Sequence, residues 1–411
     1  MPCSRDDAEA LDRSDPLAAT RHRFALPPSQ IYLDGNSLGP LSRASADAVD
    51  RTVREDWGEQ LIGSWNSAGW VDLPRHVGRQ IAPLIGAGAE DVIATDSTSI
   101  NLFKLLDAAL AIRPDRPVIL TETGNFPTDL YITDAVASNH GAARVRRVAA
   151  AELPDAIDDS VAVLVLSHVN YRTGARHDMA KVNARARAAG ALVLWDLAHS
   201  AGAVALDLEA TATDLAIGCG YKFLNGGPGA PAFLYVSPAL QRLLRNPIAG
   251  WFGHAAPFEF GDHYQPAAGI DRWQVGTPSI LGLASLHAAL EVWDSVDLQM
   301  VEAKSAQLFD IVMTWLDGPL ASHGFELLTP RQPARRGSQI SLRHPQAWPI
   351  CQALIADGVI GDFRTPDVLR FGLTPLYHRH VDIHDACERL TTIMETGRWR
   401  DPAFRTLNRV T

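Results

Sequence analysis

Cysteine is scarce in this 411-residue chain: Cys3, Cys219, Cys351 and Cys387 stand far apart, with no CxxC or CxH spacing. That excludes a disulfide framework and a zinc knuckle, and it fits a reducing, cytoplasmic setting. Long apolar runs are missing too. The longest, such as Val161 to Leu166, are strand-sized, and the opening residues Met1 to Asp7 lack the apolar stretch of an export signal. Neither secretion nor a membrane partner is expected. Positive charge is in deficit, with 37 Lys and Arg against 47 Asp and Glu and a formal net charge of −10. Nucleic acid is therefore not an expected partner. Internal repeats, low-complexity tracts and flexible linkers are also absent.

What remains is an ordinary globular composition, 46% hydrophobic and 20% charged. The length admits two or three domains, or one large α/β unit with an appendage. From Ser42 the apolar residues Val49, Val53 and Trp57 recur at every fourth position, and Val77, Ile81, Leu84 and Ile85 repeat the pattern up to Gly86. Two amphipathic helices follow from that period. Between them Gly63 to Trp70 has no period and reads as a loop crowded with tryptophan. Six runs then alternate with helical stretches: Val92–Ala94, Val118–Leu120, Val161–Leu166, Ala191–Trp195, Leu215–Ile217 and Ala232–Val236. Runs bare of polar residues are strands buried on both faces, the mark of a mostly parallel sheet between helix layers.

Beyond Asp297 the texture changes to a long helix carrying Val301, Leu308, Ile311, Val312 and Trp315. Short strands follow near Phe325, Ile340, Val359 and Leu369, then a last helix near Ala386 to Ile393. The expected division is an N-terminal segment, 1–45, packing with a smaller α+β domain, 297–411, around a large α/β domain, 46–296.

In such sheets ligands collect beyond the carboxyl ends of the strands. After the first run, Thr98 and Ser99 sit where a helix starting near Ile100 exposes free N–H groups, a phosphate cup. After the second come Phe126, able to cover a flat ring, and Asp129. The third ends at Ser167, and the fourth runs into Asp196 and His199; an acid there needs a cationic or protonated partner. The fifth supplies Lys222 on a glycine-flanked turn, where poor solvation favours the neutral, nucleophilic amine. Each has a plainer reading alone: an N-cap, a loop aromatic, a salt bridge, a lysine reaching for solvent. Jointly they match pyridoxal 5'-phosphate, which needs a lysine for its aldehyde, a carboxylate for its ring nitrogen, a phosphate cup and an aromatic cover. No metal is implied, since Asp196-x-x-His199 is the only spacing of that kind nearby.

Over nearly its whole length the chain resembles the kynureninases, hydrolases of the fold-type I pyridoxal-phosphate class. The resemblance rests on Tyr32–Pro40, Leu61–Asn66, Asp96–Leu102, Asn125–Asp129, Trp195–Ser200, Gly220–Pro228, Gly250–Gly253 and Gly276–Pro278. It implies hydrolysis of L-kynurenine to anthranilate and L-alanine, in tryptophan catabolism, by an obligate homodimer. By the same resemblance Thr98, Ser99, Tyr221 and Trp251 reach the phosphate, and Thr277 completes the cup from the partner subunit. Asp129, Ser167 and His199 surround the ring, Tyr221 relays protons beside Lys222, and Arg370 clamps the substrate α-carboxylate as a bidentate fork. Asn36, Trp65 and Gly276 are assigned to the substrate. Animal kynureninases resemble a pattern with His in the tryptophan loop and Ser-Asn in place of Gly276-Thr277. Trp65 and Gly276 therefore imply L-kynurenine as preferred substrate and weaker action on 3-hydroxykynurenine.

Two other readings compete. A cysteine desulfurase shares this fold and cofactor but needs a mobile thiolate, which Cys351, in an expected helix 347–356, and the core residue Cys219 do not offer. A cofactor-free binding protein would lose Lys222 or Asp196, and both are present.

Overall fold

The structure, a computed structural model, describes residues 2–406. Thirteen strands, β1 (Ile31–Tyr32), β2 (Val92–Ala94), β3 (Val118–Glu122), β4 (Arg144–Val148), β5 (Val161–Ser167), β6 (Leu192–Asp196), β7 (Leu215–Cys219), β8 (Ala232–Val236), β9 (Glu326–Leu327), β10 (Gln339–Arg343), β11 (Val359–Ile360), β12 (Asp362–Arg364) and β13 (Val368–Gly372), form three sheets among these residues. The large sheet runs β2-β8-β7-β6-β5-β3-β4. Strands β3 to β7 pair in parallel, and β8 lies antiparallel to both neighbours.

The expected mostly parallel sheet is thus present, and its unbroken apolar runs have a direct cause. Along β5, Leu164 and Leu166 face one core with Trp195 and Leu120, while Val163 and Val165 face another with Leu102, Ile119 and Leu194. Both faces are dry, so neither can carry polar residues. Strand β4 was not visible as an apolar run because it is an edge: its Arg-Val-Arg-Arg-Val sequence pairs on one side only and stays partly exposed.

The second layer is an antiparallel sheet, β12-β13-β10-β9, packed against the helices Leu298–Leu316, Ala347–Ala356 and His380–Thr396. The expected helices and strands of this region are found, joined by β12, whose Asp-Phe-Arg sequence carries charge instead of an apolar signal. The tryptophan segment also departs from expectation, since Ser64–Ser67 forms one helical turn. Among the described residues no helix is long and apolar enough to cross a membrane.

The opening segment touches both layers. Its helix Arg5–Arg13 lies along His380–Thr396, and β1 pairs in parallel with β11. Leu17 and Phe24 instead enter the core of the large sheet, while Ile31 and Leu33 enter that of the small one. Residues 1 and 407–411, the outer ends of the expected first and third segments, lie outside the described residues.

One buried ion pair ties this segment down. Lys304 Nζ lies 2.6 Å from Asp15, with both side chains almost fully buried, and donates to the Pro375 carbonyl at 2.7 Å. Removing one partner of such a pair strands the other charge. Lys304→Met is expected to cost about 3 kcal/mol in urea unfolding, with most of the loss regained in Asp15→Asn/Lys304→Met. An additive double variant would show that the two charges do not interact.

Candidate active site

The helix Thr98–Ala111 opens at the large sheet's edge, and the Ser97 side chain caps it by accepting from Ile100 N. The N–H groups of Thr98 and Ser99 remain available beside their hydroxyls, as an anion cup requires. Asp96, at φ +49°, turns the chain from β2 into this helix and lines the same cavity. Its negative charge would oppose an anion, but the fully buried Lys104 holds it at 2.7 Å and also donates to the Trp273 carbonyl.

Opposite the cup, Tyr221 and Lys222 follow β7. The Tyr32–Pro40 stretch packs beneath them: Gly39 N donates to Tyr221 O at 2.8 Å, and a Cβ on Gly39 would sit 2.5 Å from Lys222 O. Only glycine fits that approach. Thr98, Ser99, Phe126, Asp196, Tyr221 and Lys222 line one cavity of about 360 Å³. Lys222 Nζ lies 3.1 Å from His199 Nε2 and 5.7 Å from the Phe126 ring centroid.

Behind the lysine sit two carboxyl groups. Asp196 ends β6 and accepts from Ala198 N at 2.8 Å. Asp129 is held by the helix Pro127–Asn139. Burial, and then the neighbouring Asp196 charge, push the Asp129 carboxyl well above its ordinary range, and burial raises Asp196 as well, so the pair favours holding a proton between them. Ser167 Oγ donates to Asn125 at 2.7 Å and lies 3.4 Å from Asp129. Asp129 Oδ1 has no partner. Two buried acids with an unfilled oxygen, facing a cavity with a lysine and a helix N-terminus, fit a ring bearing a cationic N–H and a phosphate; the residues suit pyridoxal 5'-phosphate.

Arg370 lies on β13, joined to this group through the Tyr171 carbonyl and Gln339. Its Nε and Nη2 grip Asp362 across the sheet, Nη2 also donates to Ser37 at 2.9 Å, and Nη1 donates to the Tyr171 carbonyl at 2.6 Å. The expected fork is therefore already engaged by Asp362, and one Nη1 N–H is left. Asn36, beside Ser37, is fully buried with both amide atoms unpartnered. Asp129, Ser167, His199, Arg370 and Asn36 stand behind or beyond the cavity lining, and four further expected residues lie away from this group in their own chain. Trp65 packs 5.8 Å from Trp70 and 6.1 Å from Phe252, Trp251 belongs to an exposed cluster with Phe258 and Phe260, and Gly276 and Thr277 are exposed. Cys219, Cys351 and Cys387 are buried with thiols shifted up by desolvation, so none is a ready thiolate.

Residues that sequence reasoning missed join the site through the small sheet: Tyr171, Gln339 and Asp362. Gln339 and Tyr171 carry no charge and fall in no motif; Asp362 sits in a strand too polar to have been seen.

The comparisons agree with this geometry. A family model described as the kynureninase C-terminal domain matches residues 301–390. A kynureninase of Burkholderia mallei is 49% identical over 414 aligned positions, covering 99% of this chain and 100% of its own, and one of Pseudomonas fluorescens is 46% identical at the same coverage. The chain belongs to the kynureninase family. It is therefore a pyridoxal-phosphate-dependent hydrolase with the fold-type I architecture, as the resemblance implied. The same fold is seen in the cysteine desulfurase CsdA of Escherichia coli (21% identity, TM-score 0.75, 92% of this chain and 98% of that one) and in a cysteine desulfurase of Thermococcus onnurineus (17%, 0.78, 92% and 98%).

Asp34, in the family motif around Gly35 and Asn36, is buried near Asp362. Burial first, and the Asp362 charge second, push its carboxyl up to about 7, against the pull of Ser37, Arg370 and Arg364. The folded chain holds this proton more tightly than the unfolded one. The resulting stability is full below the ordinary value of 3.8 and is lost as pH rises through about 7. The cofactor-free protein is expected to melt lower at pH 8 than at pH 6, and Asp34→Asn to remove much of that difference. An unchanged difference would place the titration elsewhere, for example at Asp129.

Proposed function

We propose that this chain hydrolyses L-kynurenine to anthranilate and L-alanine, by cleavage between the β and γ carbons, in a cytoplasmic homodimer. The observation that carries the reading is the convergence of Lys222, Asp196 and a helix N-terminus on one cavity, with Arg370 linked to Lys222 through Tyr171 O, Gln339 and His199. Thr98, Ser99 and the helix start would hold the phosphate, Phe126 would cover the ring, and Asp196, backed by Asp129, would keep the ring nitrogen protonated. Bound there, pyridoxal 5'-phosphate supplies an electron sink that acidifies the substrate Cα and then allows the β–γ bond to break.

The chain's own groups do the rest. Arg370, with its remaining N–H, orients the α-carboxylate, and the unpartnered amide of Asn36 is a further donor beside it. Lys222, lining the cavity, would take the proton from the substrate Cα and hold it there. Burial raises the Tyr221 phenol above its ordinary range, so it stays protonated and serves as acid toward the ketone oxygen or the alanine carbon. With L-kynurenine, anthranilate fluorescence and alanine are expected from the wild type, while Lys222→Ala loses turnover and the borohydride-reducible bond to the cofactor. Steady turnover by Lys222→Ala would sink the assignment.

The homodimer is supported by what lies outside the cavity. Trp251, Thr277 and Gly276 are exposed in their own chain, and Trp57, Leu61, Ile62, Phe258 and Phe260 expose further apolar surface. Such a face calls for a second copy, which would bring Thr277 and Trp251 to its neighbour's cup.

Substrate choice follows from the same segment. An apolar site discriminates only modestly against an added hydroxyl, whereas a site built to bind one strongly rejects the analogue lacking it. Trp65 and the side-chain-free Gly276 are of the first kind, so 3-hydroxykynurenine should be the poorer substrate. Open space surrounds the Cβ position of Gly276, so a side chain can be introduced there. Comparing kcat/KM for both substrates in wild type and in Trp65→His/Gly276→Ser/Thr277→Asn tests this. A wild type that favours the 3-hydroxy compound refutes it, and an unchanged ratio in the variant places selectivity elsewhere.

A further inference from the structure

One backbone oxygen stands at the head of a chain of hydrogen bonds ending on Lys222. The Tyr171 carbonyl accepts from Gln339 Nε2 at 3.1 Å, Gln339 Oε1 lies 3.1 Å from His199 Nδ1, and His199 Nε2 lies 3.1 Å from Lys222 Nζ. Gln339, His199 and Lys222 are all buried, so each of these bonds is shielded from water. The direction of every bond is fixed by the one before it. A carbonyl only accepts, so the Gln339 amide must turn its NH2 toward Tyr171; the flipped amide would set two oxygens against each other. Oε1 then faces His199 and can only accept, so Nδ1 carries the hydrogen. Burial, with the charges of Lys222, Arg370 and Arg364, keeps this imidazole neutral. Its Nε2 is therefore bare and accepts an N–H from Lys222.

We propose that Gln339 is a positioning residue for Lys222: by fixing the His199 tautomer it makes Nε2 an acceptor that draws one lysine N–H aside and turns the amine's remaining face to the cavity. This rests on the reading of Lys222 as the residue that bonds the cofactor. The same Tyr171 carbonyl accepts from Arg370 Nη1, and Gln339 and Arg370 stand on the adjacent strands β10 and β13. Seating the small sheet against the 168–178 loop thus sets the lysine and the carboxylate-binding arginine through one atom.

The test uses full-length protein labelled with ¹⁵N-histidine, with Gln339→Met as a variant of similar length that lacks the amide. In the wild type, freed of cofactor, the His199 resonances should show hydrogen on Nδ1. In Gln339→Met they should move toward the Nε2–H form, and capture of added pyridoxal 5'-phosphate, followed by absorbance, should slow by about tenfold, the size of one lost buried hydrogen bond. Ser341→Ala removes only the weaker 3.3 Å contact to the same amide and should leave the Nδ1–H form in place. That control separates the tautomer effect from general loosening of β10. In a His199→Phe background, Gln339→Met should slow capture no further. An Nδ1–H signal that survives Gln339→Met, or additive slowing in the double variant, overturns the proposal. Failure of the underlying reading looks different, since the wild type itself would then form no reducible bond at Lys222.

Discussion

The burial of one lysine in front of a pair of carboxyl groups at the end of a dry parallel sheet is the constraint around which this molecule is arranged. Strands β5 to β7 have no polar positions along their length because both faces are core, so polar chemistry is confined to their carboxyl ends. There it is expensive, since a buried charge must be answered locally. Asp129 and Asp196 hold a proton between them so that neither need face a second anion, and Ala198 N and Lys222 answer what charge remains. The cup side follows the same logic, with Lys104 holding Asp96 so that the helix N-terminus presents N–H groups in place of a net negative edge. What is left over in each case, the Asp196 carboxyl at the cavity wall and the first N–H groups of a helix, is what the cofactor's ring and phosphate can fill.

The second layer brings to the site the arginine that the proposed reading assigns to the substrate carboxylate. The small sheet meets the large one along the 168–178 loop, where Ala175 bridges Arg336 and Gly337 N donates to Gly174 O. From that joint Gln339 and Arg370 both reach the Tyr171 carbonyl, while the Tyr171 ring stands edge-on to Phe126 at 5.2 Å. One residue of no evident chemical distinction therefore joins the ring-covering aromatic, the arginine and the path to the lysine. The small layer is in this sense part of the active site and not a lid added to it.

How far the sequence disclosed this depends on the kind of signal. Apolar runs exposed the buried strands, and the residues just beyond them, Thr98, Phe126, Asp196 and Lys222, converge because parallel strands bring their carboxyl ends to one edge. Strands β4 and β12 were not legible, since an edge strand and a charged strand have no apolar run to show. Tyr171 and Gln339 were invisible for another reason: they act through a backbone oxygen and a neutral amide, and nothing in composition or spacing distinguishes such groups from loop and core. Trp251 and Thr277 were legible only by resemblance, because within their own chain they do not line the cavity that holds Lys222.

On the proposed reading, the arginine cluster has to receive a substrate with a guanidinium that is already engaged. Arg364 and Arg370 share the carboxylate of Asp362 and the hydroxyl of Ser37. Two cations against one certain anion leave one positive charge, unless Asp34 ionises and cancels it. With the Asp34 carboxyl pushed up to about 7, the cluster is net cationic below that pH and matches one incoming carboxylate in charge. Asp362 then serves as a placeholder that holds both arginines in position. It leaves one Arg370 N–H and the excess charge for the ligand. Selectivity for an amino acid over a neutral amine would come from that excess charge as much as from any single hydrogen bond, because a buried positive charge without its counterion is the costlier state.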